Sequence, residues 1–377
     1  MGKTTRIISI GTVKIGGGLP VVLQSMAAAK TADINAVAET CSRLADAGAG
    51  LVRVAADTAA DAAALKEIRK KTTANLSADL QENYRLAETV APFVDKIRYN
   101  PGHLHHAEPE IPWQTKVERI VNIARQYDCA LRIGVNCGSL ENADRNGSGI
   151  DSALNSAFQH AGFMDSLGFD RFCVSIKSSD PQAVLYANRR FASMRPDVPL
   201  HLGLTEAGLP PAGIRKSRLA LEPLLAEGIG DTLRVSLTVP NQRKAEEIEA
   251  GQQILQNAAA GIVLTEKDWQ PDKLNIISCP SCSRVENDRF VQLAEQVQSA
   301  TEPLKEVPLT IAVMGCRVNG PGETDHADIG LWCGVNAVNL KRGSVLVGSF
   351  RYEEVVEKML DEIAETVLPA ARSKHVP

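Results

Sequence analysis

Ala130-Leu-Arg-Ile-Gly-Val-Asn136 and Arg171-Phe-Cys-Val-Ser-Ile-Lys177 decide how this chain folds. Each is a short β-rich apolar run that ends in a polar residue, and a longer segment separates the two. Working outward, runs of the same kind recur at Val21–Met26, Leu51–Ala56, Ala74–Leu80, Lys96–Asn100, Pro199–Glu206 and Thr232–Leu237. Successive runs start roughly 20 to 40 residues apart. The stretches between them, such as Asp33–Ala49 and Thr58–Lys71, are rich in Ala, Leu and charge and carry helical periodicity. Strand–helix alternation repeated eight times predicts an α/β protein built on a parallel (β/α)8 TIM barrel, with a doubly wound open sheet as the alternative.

The C-terminal ends of these runs carry polar residues, and barrel enzymes place their sites at that face. They are Gln24, Ser25, Arg53, Asp79, Arg98, Asn100, Arg132, Asn136, Ser175, Lys177, Thr205, Glu206, Arg234 and Ser236. Four arginines and one lysine (Arg53, Arg98, Arg132, Lys177 and Arg234) come from five different strands. Their charges repel unless an anion or several carboxylates sit among them, and Asp79 and Glu206 supply two. A multiply charged anion, most simply a diphosphate, is the expectation; a self-satisfied ring of salt bridges is the alternative. Glu206, at the end of the seventh run, is the candidate acid/base, because burial there raises a carboxyl pKa; the alternative is a carboxylate that only orients an arginine.

Beyond the barrel the pattern changes. Residues 1–240 read as the barrel and 241–272 as a linker that includes a helix-like stretch, Gln242–Asn257. Residues 273–377 read as a small α+β domain. Its strands are expected at Asn275–Ser278, Leu309–Met314, Asp328–Trp332 and Ser344–Phe350, and its helices at Asp288–Ser299 and Glu353–Ala370.

This second region holds Cys279-Pro-Ser-Cys282 and, further on, Cys316-Arg-Val-Asn-Gly-Pro-Gly-Glu323. Thiolates bind soft metals and iron–sulfur clusters, and a Cys-x-x-Cys pair puts two sulfurs on one turn. Two clustered thiolates, a distant third and a carboxylate suit a cluster with one labile corner. A structural zinc site calls for a second Cys-x-x-Cys or a His pair, and buried or redox-active cysteines are a further alternative. The Asn319-Gly-Pro-Gly-Glu323 stretch reads either as backbone approaching a cluster or as a tight turn between strand and helix.

The chain has 377 residues, 44% hydrophobic and 23% charged, with a net charge of −4, which argues against a general nucleic-acid binder. The N-terminus lacks an apolar stretch of secretory length, and no run reaches the roughly 18 to 20 apolar residues of a membrane span. Eight cysteines without an export signal favour a reducing cytoplasm. His103, His105 and His106, with Glu108 and Glu110 nearby, read as an exposed polar loop in preference to a metal site. Gly16-Gly17-Gly18 reads as a turn, because no phosphate-loop pattern accompanies it. Cys41, Cys129, Cys137 and Cys173 read as small core residues, with Cys137 placed at the functional rim.

These motifs, in this order, resemble the bacterial 4-hydroxy-3-methylbut-2-enyl diphosphate synthase family. The resemblance rests on Gln24-Ser25-Met26, Val52-Arg53-Val54, Arg98-Tyr-Asn100-Pro-Gly102 and Arg132 through Glu141. It continues through Ser175-Ile-Lys177-Ser-Ser-Asp180, His201 through Gly208, Gly228 through Ser236, Cys279 through Arg284 and Gly315 through Glu323. It implies a TIM barrel followed by a ferredoxin/sulfite-reductase-like domain. It further implies homodimers in which one subunit's cluster domain caps the other's barrel, and a flavodoxin or ferredoxin electron donor. Cys279, Cys282 and Cys316 would hold three irons of a 4Fe–4S cluster, and Glu323 the fourth until substrate displaces it. The implied reaction is the reductive ring opening and dehydration of 2-C-methyl-D-erythritol 2,4-cyclodiphosphate.

The chain departs from the family pattern at the substrate end of the barrel. Gln-Ser-Met-Thr-Asn-Thr becomes Gln24-Ser25-Met26-Ala27-Ala28-Ala29, and Asp-Ile-His becomes Asp79-Leu80-Gln81. Asn-Pro-Gly-Asn becomes Asn100-Pro-Gly-His103, and Val-Pro becomes Ala56-Asp57. The alternatives these departures leave open are a paralogue reducing a different phosphorylated substrate, and a non-catalytic cluster-binding or zinc-stabilised barrel.

Overall fold

The computed structural model describes residues 5–137, 149–265, 268, 273–316 and 318–367. Gly138 to Glu141 of the Arg132 motif, Arg317, most of 266–272 and the end of the last expected helix lie outside them.

An N-terminal hairpin, β1 (Ile8–Ile10) and β2 (Val13–Ile15), turns out through Gly16, Gly17 and Gly18, all at positive φ. Its Ile8, Ile10 and Ile15 pack on Leu51, Ala130 and Cys173 and close one end of the barrel. The barrel strands are β3 (Val22–Met26), β4 (Leu51–Ala55), β5 (Leu76–Asp79), β6 (Lys96–Tyr99), β7 (Ala130–Asn136), β8 (Phe172–Lys177), β9 (His201–Leu202) and β10 (Thr232–Leu233). All neighbours pair in parallel, in the order β8-β7-β6-β5-β4-β3-β10-β9, and a bridge from Val174 to Leu200 joins the two ends. Every β7 and β8 residue is buried, because helices cover the outer face while side chains fill the interior. Helix starts follow local chemistry. Thr58 caps helix Ala59–Lys71 in a capping box with Asp61, an arrangement worth about 1 kcal/mol.

Helix Ala245–Ala259 lies within the stretch read as a linker, yet Ile248, Ala250 and Ile254 join the barrel core. Its apolar face covers β3, in the position of the eighth barrel helix. The second region forms a five-stranded sheet in the order β11 (Asn275–Ser278), β12 (Thr310–Met314), β13 (Ile329–Cys333), β14 (Val338–Arg342) and β15 (Val345–Phe350). β14 was not anticipated; its Asn, Lys and Arg mask a strand whose Val338 and Leu340 are buried. Gly320–His326 is a short helix with Pro321 in its first turn, where a missing N–H costs nothing, so the turn reading is corrected there. No helix among the described residues is long and apolar enough to cross a membrane.

The sheet domain sits on this chain's own barrel, whereas the resemblance implied a cap from a second subunit. A parallel bridge pairs Ala207 with Ser278, and Thr238 Oγ1 reaches the Ser278 and Cys279 carbonyls at 3.1 and 2.9 Å. Leu209 of the barrel packs into the cap's core.

Candidate functional site

Between barrel and cap lies a cavity lined from below by Arg53, Asp79, Arg98, Arg132, Asn136, Lys177, Thr205, Glu206, Arg234 and Ser236. From above it is lined by Cys279, Cys282, Cys316, Arg284 and Asn319. Of the fourteen strand-end residues singled out in the sequence, eleven meet here, these ten and Ser175. Gln24, Ser25 and Asn100 do not face it. Gln24 accepts from Lys96 Nζ (2.8 Å) and Ser25 donates to Glu247 (2.7 Å), while Asn100 caps the next turn. Ala27–Ala29 also stand outside the cavity lining.

Two glycines make room for the cations. A Cβ on Gly134 would lie 2.1 Å from Arg98 Nε, and one on Gly203 would lie 2.4 Å from Lys177 Nζ. Arg98 bonds Asp79 (2.9 Å) and the Gly134 carbonyl (2.8 Å), and Arg53 lies 3.5 Å from Asp79. Burial alone would raise the Asp79 carboxyl, but Arg98, Arg53 and Arg284 hold it well below the usual range. Arg132 is 1% exposed and donates Nη1 to Ser175 (2.8 Å), while its Nε and Nη2 have no partner among the described residues. Burial and then the neighbouring Arg98 bring its pKa down to about 9. Arg234 Nη2 is equally without a partner. Burial, followed by Arg132 and Arg234, pushes the Lys177 ammonium well below its ordinary value. An excess of buried donors with no acceptor is the electrostatic form of an anion site.

Sequence reasoning missed three groups here. Arg284 reaches down from the cap to grip Asp57 through two 2.7 Å contacts, and it also bonds Asp79 (3.2 Å). Glu247 is fully buried beneath Arg234 (3.6 Å) and accepts from Lys244 (2.8 Å), Ser25 and the Leu237 N–H (3.1 Å). Lys244 also donates to the Leu237 carbonyl (3.1 Å) and to the Pro280 carbonyl, inside the Cys-Pro-Ser-Cys loop. The available signal was a Lys–Glu pair three residues apart on the apolar face of a helix. Asp57 and Gln81, both departures from the family pattern, thus have structural partners: Asp57 holds Arg284, and Gln81 accepts from Arg98.

In the cap, Cys279 and Cys316 are buried and Cys282 partly so. A hydrogen bond from Cys279, then the N–H groups of Asn319 and Val318, bring the Cys316 thiol down to about 7. Three clustered thiols, one of them stabilised as thiolate, fit a soft metal centre. Glu323, expected at the same centre, is buried but does not line this cavity, and it accepts from Ser179 (3.1 Å). Burial and then the Glu206 charge push its carboxyl up to about 8. Glu206 accepts from Asn319 (2.9 Å), its backbone sits at φ +46°, and burial raises its pKa. His103 lies behind Gln81, and burial takes its pKa down to about 3.

A parallel barrel with a rim of buried cations, capped by a domain that offers three cysteines to the same cavity, defines the class. The chain belongs to the GcpE family: the GcpE TIM-barrel domain matches residues 5–252, and the GcpE protein C-terminal domain matches 275–365. A Rhodopirellula baltica protein named 4-hydroxy-3-methylbut-2-en-1-yl diphosphate synthase (flavodoxin) is 54% identical over 96% of both chains. A Symbiobacterium thermophilum protein of the same name is 38% identical, over 100% of this chain and 96% of its own. A dihydropteroate synthase from Stenotrophomonas maltophilia shares the barrel fold, with TM-score 0.50 at 11% identity over 68% of this chain and 99% of its own.

Proposed function

We propose that this chain is a 4-hydroxy-3-methylbut-2-en-1-yl diphosphate synthase, which reductively opens and dehydrates 2-C-methyl-D-erythritol 2,4-cyclodiphosphate with electrons from flavodoxin or a ferredoxin. The observation that carries the reading is that Arg132 and Arg234, with donors that have no partner among the described residues, line the same cavity as Cys279, Cys282 and Cys316. Arg53, Arg98, Arg132, Lys177 and Arg234 hold the diphosphate, with Asp79, Asn136, Thr205 and Ser236 completing the walls. The three cysteines and Glu323 would hold a 4Fe–4S cluster, which when bound would supply the electrons and an exchangeable iron. Glu323, whose carboxyl is raised to about 8 by burial and the Glu206 charge, would have to give up its proton to serve as a ligand. Glu206, whose carboxyl pKa is raised by burial, is the acid that gives a proton to the departing oxygen, which leaves as water after two electrons have entered. Asn319 holds Glu206 in place.

The same proposal includes a cytoplasmic location and a homodimer. Caps exchanged between two copies would make the contacts that the cap makes here within one chain. The barrel is the substrate domain and the region from residue 273 the cluster domain. Anaerobically purified protein should be brown, with about four irons per chain. With reduced flavodoxin it should convert the cyclic diphosphate. Stoichiometric zinc without sulfide, or failure to complement a strain lacking the synthase, would overturn the assignment.

A further inference from the structure

His103 and His106 stand three residues apart, and the structure gives that spacing a geometry. Pro101–His103 is a 3-10 turn, and the His106 N–H closes the following turn on the His103 carbonyl at 3.2 Å. Side chains at i and i+3 eclipse in such turns, so the two imidazoles share one face, their ring centroids 4.7 Å apart. Glu82, from the loop after β5, meets both rings. Its Oε1 lies 3.8 Å from His103 Nδ1 and 3.7 Å from His106 Nδ1. One ligand atom from each residue falls within 4.8 Å of the other two. Zinc–ligand bonds of about 2.0 to 2.2 Å place tetrahedral ligand atoms roughly 3 to 4 Å apart, so little movement closes this trio on an ion. Glu82 and His106 also line a second cleft, of about 650 Å³, from which water can fill the remaining position.

We propose that Glu82, His103 and His106 bind a divalent ion of the zinc class, apart from the cysteine centre, and that its binding weakens the diphosphate clamp. The link is one lone pair. His103 Nδ1 faces Gln81 Nε2 at 3.1 Å, and the Oε1 of the same Gln81 amide accepts from Arg98 Nη1. A ring nitrogen that binds metal cannot also accept from Gln81. Metal capture therefore frees the amide to turn, and Arg98 loses one of the acceptors that aim it at the cavity. Metal and diphosphate then oppose one another, and the opposition is reciprocal. This coupling rests on the clamp reading above; the metal site itself does not.

The test titrates Zn2+ into anaerobic, cluster-loaded protein by calorimetry, for the wild type and for His106→Ala. Pyrophosphate affinity is then measured with and without one equivalent of zinc, and iron content is followed throughout. The expected result is one zinc per wild-type chain. His106→Ala should bind zinc at least tenfold more weakly, since even an outer-shell partner of a metal is worth roughly 10- to 100-fold. Zinc should weaken pyrophosphate binding in the wild type but not in the variant, with iron content unchanged in both. Equal zinc affinity in the two proteins overturns the site. Tight, His106-dependent zinc with unchanged pyrophosphate affinity overturns the coupling, as does loss of iron in step with the inhibition. If pyrophosphate fails to bind even without zinc, the clamp reading falls while the zinc titration still decides the site.

Discussion

Arg132→Met should weaken anion binding and leave the free protein as stable as before, or more so. Arg132 offers two buried donors, Nε and Nη2, that nothing among the described residues accepts. A hydrogen bond to a charged partner contributes about 1.5 to 3 kcal/mol, so two of them bound the loss at about 3 to 6 kcal/mol. The low end applies, because the anion keeps the neighbouring arginines and Lys177. About 3 kcal/mol corresponds to a roughly 150-fold rise in Kd for pyrophosphate, read by calorimetry. Without ligand the sign reverses. Burial and the neighbouring Arg98 already disfavour the Arg132 charge. Replacing a buried charge by an apolar side chain of similar length stabilises by about 1 to 4 kcal/mol in favourable cases. Loss of the Ser175 bond offsets about 1 kcal/mol of that. The urea midpoint of the variant should therefore match or exceed that of the wild type. Unchanged pyrophosphate affinity would refute the clamp, and an earlier midpoint would refute the claim that this guanidinium is held against its own electrostatics.

Three further outcomes follow from the same network. Glu247→Gln leaves Lys244 and Arg234 buried without their counter-charge, so stability should fall by about 3 to 5 kcal/mol; a urea midpoint within error of wild type would contradict this. Glu323 has a folded-state pKa raised to about 8, so in metal-free protein the fold binds its proton more tightly than the unfolded chain does. The stability it contributes is present at low pH and is lost as pH rises towards 8, at up to about 1.4 kcal/mol per unit. Glu323→Gln should flatten that slope, and a pH series of melts on both proteins decides it. Asp57→Asn removes the bidentate hold on Arg284, so amide exchange across Asn275–Ser278 and the adjoining cysteine loop should quicken while that of β7 stays fixed.

The two longest barrel strands, β7 and β8, announced themselves because strands buried on both faces are largely apolar: β7 spans the same Ala130–Asn136 in sequence and structure. β9 and β10 were shorter than their apolar runs, since the chain leaves the ladder after Leu202 and Leu233 to carry Thr205, Glu206, Arg234 and Ser236 into the cavity. The rim cations were legible as a set because each closes a strand. Their partners were not. Arg284 meets Asp57 across 227 positions, and Ser25 meets Glu247 across 222, and no local pattern encodes such pairings. Asp57 and Gln81 looked like losses at the substrate end; in space each has a partner that the linear sequence could not supply.

Lys244 carries a consequence for electron transfer. Its ammonium is wholly buried, bound on one side to Glu247 and on the other to the backbone between Cys279 and Cys282. An N–H donor on the loop that carries two cysteines would favour the more electron-rich state of a redox group held there. A redox centre held by these cysteines, as proposed above, would thus have its potential set partly from the barrel, through the residue that caps the helix completing the (β/α)8 ring.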